Sequence, residues 1–107
     1  MDEAYERELD QADRALRQKD FETAFHHLER AHVLAQRMTG RHTFVHWRML
    51  VAGLLRGDLR EAVGQVPRIV ASILFSRLWV PRGNTGRARV SAFKPMPVPD
   101  DLRHLVS

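Results

Sequence analysis

A chain of 107 residues with 44% hydrophobic and 28% charged side chains has the length of one core and a globular composition, which excludes disordered, collagen-like and low-complexity classes. It has no cysteine, so disulfide frameworks, thiolate metal sites and cysteine nucleophiles are excluded too. The net charge of +4 is uneven: residues 1–22 carry eight acids against four bases, and residues 76–107 carry six bases against two acids. Opposite-sign ends can attract each other within one small domain, and 15 of the 17 bases are Arg, which suits bidentate pairing. Residues 1–20 are mostly charged and polar, so no secretory leader is expected, and the longest uncharged run, Ile69–Ser76, is far short of a membrane span. The expectation is a cytoplasmic protein with no membrane partner.

In chain order, Leu9, Ala12 and Leu16 recur at helical spacing and predict a first helix over Asp2–Gln18. Asp20 is placed to cap a second helix running to about Met38, with Phe21, Ala24, Leu28, Ala31 and Ala35 on one stripe and Gly40 as its terminator. A third helix is expected over His42–Arg56. Gly57-Asp58 then stops it, and Asp58 with Glu61 resembles a capping box for a fourth helix from Leu59 to about Leu78, kinked by Pro67. Residues 79–107 read as an extended tail that packs back on the helical domain of residues 1–78. Its turn chemistry lies at Pro81-Arg82-Gly83-Asn84 and Gly86, its anchors at Val90, Phe93, Met96 and Val98, and Asp100 caps a last short helix over Asp101–Leu105.

The two halves repeat at an offset of 38, Asp20-Phe21-Glu22-Thr23-Ala24 matching Asp58-Leu59-Arg60-Glu61-Ala62. This partly resembles the tetratricopeptide hairpin, whose period is about 34. The fold class expected is all-α: four helices as two antiparallel tetratricopeptide-like hairpins plus an irregular C-terminal tail. Two hairpins leave faces uncovered. Val66, Ile69, Val70, Ile73, Leu74 and Phe75 go most of the way round helix four, so a covering tail, a homodimer through helix four, or both are expected.

Five of the six histidines, His26, His27, His32, His42 and His46, fall within 21 positions. If helices two and three reverse near Gly40, His32 comes level with His46 or Trp47. His42 and His46, four apart, share a helix face, and Glu29 with His32 has the Glu-x-x-His spacing of helical metal sites. Glu29, His32, His42 and His46 are therefore the candidate ligands for a transition metal (Zn, Ni, Cu or Fe), with Gln36 behind them orienting an imidazole. Haem is disfavoured by the size of two small hairpins. The alternative is a purely structural histidine network inside a protein–protein interaction module, a partner being held on the helix-four face.

Other templates fail. No serine lies in a Gly-x-Ser-x-Gly elbow. Gly83-Asn84-Thr85-Gly86 lacks the lysine and spacing of a P-loop, and the basic tail has one aromatic, Phe93, too little for nucleic acid. No catalytic residue is assigned, so the reading leans away from an enzyme.

Taken together, His27-Leu28-Glu29-Arg30-Ala31-His32, His42 with Val45-His46-Trp47-Arg48-Met49-Leu50, and the tail Gly83-Asn84-Thr85-Gly86 with Val90-Ser91-Ala92-Phe93-Lys94-Pro95-Met96-Pro97 resemble a family of small, mostly bacterial proteins, domain of unknown function 3703. The resemblance spans nearly the whole chain. It implies that the histidine hairpin and the Gly-Asn-Thr-Gly tail belong to one design, and it implies no activity.

Overall fold

A computed structural model describes residues 2–75, 82–91 and 93–106. Four helices follow one another, α1 (Asp2–Arg17), α2 (Phe21–Ala35), α3 (Thr39–Arg56) and α4 (Leu59–Phe75), and a short 3-10 helix, Asp100–Leu105, closes the tail. Each α-helix packs against the next in the chain, and the described residues contain no strand. The end of helix four beyond Phe75, Trp79 and the turn residue Pro81 lie outside the described residues.

The sequence repeat reappears as a repeated turn. The Asp20 side chain accepts a hydrogen bond from the Thr23 amide at 3.3 Å, and Asp58 accepts one from the Glu61 amide at 3.1 Å. Ahead of each cap, the amides of Asp20 and Asp58 donate to Ala15 and Gly53, and those of Lys19 and Gly57 donate to Leu16 and Leu54. Both helices therefore end in the same double hydrogen bond around one left-handed residue, Lys19 at φ 59° and Gly57 at φ 80°. Lys19 accepts a strain that Gly57 avoids.

Gly40 does not end α2. The helix stops at Ala35, and Gly40 lies in the first turn of α3, which starts at Thr39 after an extended Met38. With no positive φ, Gly40 is free to be helical, and His42 is carried into the helix along with His46.

The core lies among α1, α2 and α3. Ala12, Ala24, Leu28 and Ala31 are fully buried with Val45, Met49 and Ala52, so small residues let the helices approach closely. From the tail, Val98 and Leu102 close this core, whereas Phe93 is 75% exposed and anchors nothing. The 3-10 helix starts one residue earlier than expected, with Pro99 and not Asp100 at its cap. The acidic and basic ends each pair with the middle of the chain: Asp13 with Arg48, Glu8 and Asp101 with Arg30, and Arg87 with Glu61.

The two helix-adjacent glycines separate strain from entropy. A methyl added at Gly40 or Gly57 meets nothing within 4 Å, so only backbone preference distinguishes them. Gly40→Ala is expected to stabilise the protein by about 0.5 kcal/mol and Gly57→Ala to destabilise it by about 1 kcal/mol. Urea unfolding midpoints of the two variants check this.

Candidate metal centre

His32 projects from α2 and His42 and His46 from α3, and all three are buried. Their Nε2 atoms form a nearly equilateral triangle, with His32–His42 at 3.0 Å and both His32–His46 and His42–His46 at 3.1 Å. The rings are not stacked; their centroids lie 4.7–4.8 Å apart with planes tilted by 44–73°. Three imidazoles thus aim one nitrogen each at a common point.

What lies behind each ring decides which nitrogen carries the proton. His32 Nδ1 is 2.7 Å from the Asn84 carbonyl oxygen, which can only accept, so Nδ1 donates and Nε2 is left with its lone pair. His46 Nδ1 is 2.6 Å from Gln65 Oε1. The Gln65 amide is itself fixed, because its nitrogen lies 2.6 Å from Glu61 Oε2, 3.0 Å from the Gly86 carbonyl oxygen and 3.5 Å from Met49 Sδ. Those are acceptors, so the amide nitrogen must face them and the amide oxygen must face His46. His46 therefore also donates through Nδ1 and presents the Nε2 lone pair. His42 Nδ1 is buried without a hydrogen-bond partner.

Two lone pairs facing each other at 3.1 Å repel unless a cation lies between them. For metal–nitrogen bonds of about 2.0–2.1 Å, the nitrogens of a tetrahedral face are about 3.3 Å apart and those of an octahedral face about 2.9 Å, values that bracket the observed edges. The observed triangle is the size of such a face. The described His, Cys, Asp and Glu residues offer this set of three nitrogens and no fourth ligand. The chemistry open to it is binding of a borderline divalent ion, with coordination positions left over for water or another small ligand.

The other candidates lie elsewhere. The Glu29 carboxylate is turned toward Arg87, at 3.6 Å, and stands apart from the triad. Burial raises its pKa, while Arg87 lowers it. Gln36 Oε1 accepts the Gly83 amide hydrogen at 3.1 Å, which ties the tail to α2, and the amide that orients an imidazole is Gln65. His26 and His104 are exposed, and His27 bonds Glu8 at 3.0 Å.

Sequence reasoning missed Glu61 and Gln65, both on α4 and both fully buried. As a capping-box acid Glu61 should reach back along its own helix. Instead its carboxylate turns inward and binds Gln65, the Arg87 guanidinium and the Ala88 amide. A Glu and a Gln four apart on one helix face, opposite the histidines, are the only signal that could have drawn attention to them.

The tail covers the triad. Gly83 and Gly86 both have positive φ, at 79° and 82°. A methyl at Gly86 would stand 2.6 Å from His32 Cδ2 and 2.7 Å from its Nε2, and one at Gly83 would stand 1.8 Å from the Met96 carbonyl oxygen. Between them, buried Asn84 fixes the loop: its Nδ2 donates to Ser91 and Lys94 carbonyls at 2.7 Å, and its Oδ1 accepts the Gly86 amide at 2.9 Å. The Gly-Asn-Thr-Gly segment is thus a turn shaped to press backbone against an imidazole.

Burial holds the three rings neutral. It lowers His42 to about 3 and His46 to about 4, from 6.5, and takes His32 well below its usual value, with the neighbouring imidazoles adding to the effect at His32. Above pH 6.5 the rings are neutral whether the chain is folded or not. As pH falls below that, the unfolded chain takes up protons that the folded one refuses. Stability of the metal-free protein is expected to fall between about pH 6.5 and 4, by about 1.4 kcal/mol per pH unit for each ring that stays neutral. Urea midpoints across that range check the slope, which His42→Gln should reduce.

A model of the family described as protein of unknown function (DUF3703) matches residues 1–106. No curated protein and no solved structure matches the chain.

Proposed function

The chain belongs to the DUF3703 family, whose description assigns no function, so its own residues carry the argument, and we propose that it is a non-enzymatic metal-binding protein holding one transition-metal ion at His32, His42 and His46. One observation carries this reading: two of the three converging Nε2 atoms are forced to be acceptors by the groups behind them. A purely structural histidine network would alternate donors with acceptors, and this one sets acceptor against acceptor around a single point. Zn²⁺, Ni²⁺, Cu²⁺ and Fe²⁺ all accept imidazole ligands. Asn84 and Gln65 supply the outer hydrogen bonds that hold ligating rings in place and raise their basicity.

Untagged protein titrated with each ion by calorimetry is expected to take up one equivalent. At a hundred times its dissociation constant the ion should add about 2.7 kcal/mol of stability. His42→Ala should lose this response with the smallest effect on the fold, because the His42 ring has no partner at Nδ1. A melting temperature unmoved by all four ions overturns the proposal.

A ring ligating through Nε2 would lose charge to the ion, and its Nδ1–H would become a stronger donor. For His32 the acceptor is the Asn84 carbonyl of the tail, and for His46 it is Gln65, which in turn holds the Gly86 carbonyl. Metal is therefore expected to slow hydrogen exchange at the amides of residues 83–88 more than at those of α1, and Gly86→Ala to reduce that protection.

A further inference from the structure

Helix α4 is built inside out. The side chains it buries are Glu61, Ala62, Gln65 and Ser72, mostly polar and engaged by the tail, by α3 and by the relay to His46. Its large apolar residues Leu59, Val63, Val66, Val70 and Ile73 face outward and are 51–68% exposed. Their spacing of 4, 3, 4 and 3 is that of a helix–helix seam, and four of the five, Val63, Val66, Val70 and Ile73, are β-branched. On α3, which packs beside α4, Phe44, Trp47 and Leu54 are about as exposed. A soluble monomer gains nothing from such a stripe, which water penalises along its whole length.

We propose that this face docks a second copy of the same chain, α4 against α4 about a two-fold axis. The exposed apolar area suits a second copy. Eight large apolar side chains about half exposed, together with neighbouring Leu55, present on the order of 1,000 Å² of surface per chain, above the ~800 Å² per partner that a standard stable interface buries. Charge points the same way: each copy carries a net +4, so a face shared by two copies is best free of like charge. Along residues 59–75 the charged side chains are Arg60, Glu61 and Arg68. Glu61 is buried, and Arg68 is bonded inward to the Gly64 and Val90 carbonyls at 2.8 and 2.7 Å. That leaves Arg60 at one end of the stripe, and an antiparallel arrangement places the two Arg60 residues far apart. An uncharged, seam-spaced stripe is complementary to itself, and no charge pattern on it selects a different partner.

Sedimentation equilibrium of the full chain should give twice the 12.4 kDa chain mass at micromolar concentration. The protein has no cysteine, so a single introduced one reports contact without background. Val66→Cys, at the midpoint of the stripe, should cross-link into dimers under mild oxidation, and Asp10→Cys on exposed α1 should not. The double variant Val66→Glu, Val70→Glu should sediment as a monomer with helicity and metal uptake retained; if it fails to fold, the Val66→Cys cross-link decides. A wild-type mass of 12.4 kDa throughout, a dimer that survives the folded double variant, or equal cross-linking at positions 66 and 10 overturns the proposal.

Discussion

The Gln65 amide nitrogen sits among the Glu61 carboxylate, the Gly86 carbonyl and the Met49 sulfur, and this one-sided environment leaves its oxygen a single direction in which to point. Since a buried donor without an acceptor costs about 1–3 kcal/mol, the amide cannot flip without losing several contacts at once. The consequence travels outward. His46 must donate to Gln65, its far nitrogen must then accept, and the same logic applies at His32 through the Asn84 carbonyl. Glu61 is in turn kept as an acceptor by the Arg87 guanidinium and the Ala88 amide. A tautomer, which no atom position shows directly, is thereby determined by heavy-atom neighbours alone.

The same requirement accounts for the form of α4. A helix that must supply Glu61, Gln65 and Ser72 to the interior spends its inward face on polar groups, and its hydrophobic residues are left on the other side. Helix α2 has the ordinary arrangement, with Ala24, Leu28 and Ala31 fully buried. The two helices begin at matched positions of the repeat, with matched caps, yet they bury opposite chemistries. Common local rules built both, and the site they serve made them different.

Much of this was legible in the residues. Apolar periodicity and the caps at Asp20 and Asp58 located four helices, because those signals act over a few residues. The convergence of His32, His42 and His46 followed from a reversal expected near Gly40 and an i,i+4 pair, both local matters. Gly40 misled because glycine after a helix suggests a terminator, while here the chain had already turned at Met38. Glu29 misled because Glu-x-x-His spacing fixes only a helix face; the pull of Arg87, 58 residues away in sequence, is invisible to spacing. Gln65, Glu61 and the Gly86 carbonyl were missed for the same reason, since each reaches the site through packing of α4 and the tail. The sequence named Val98 and Phe93 alike as anchors, and it could not tell that Val98 enters the core while Phe93 stays out, because both lie in a segment without periodicity.

The backbone of Gly86 lies against the His32 ring with no space for even a methyl group, and for an ion held as proposed this closeness would bear on rates as well as affinity. An ion reaching the three nitrogens from bulk water would have to wait for the loop of residues 83–88 to swing clear. At high concentration the speed of loading would then level off at the opening rate of the loop, the same for every ion, whereas departure would also require its metal–nitrogen bonds to break. Under such conditions the occupant of the site is decided by which ion stays longest and not by which arrives first.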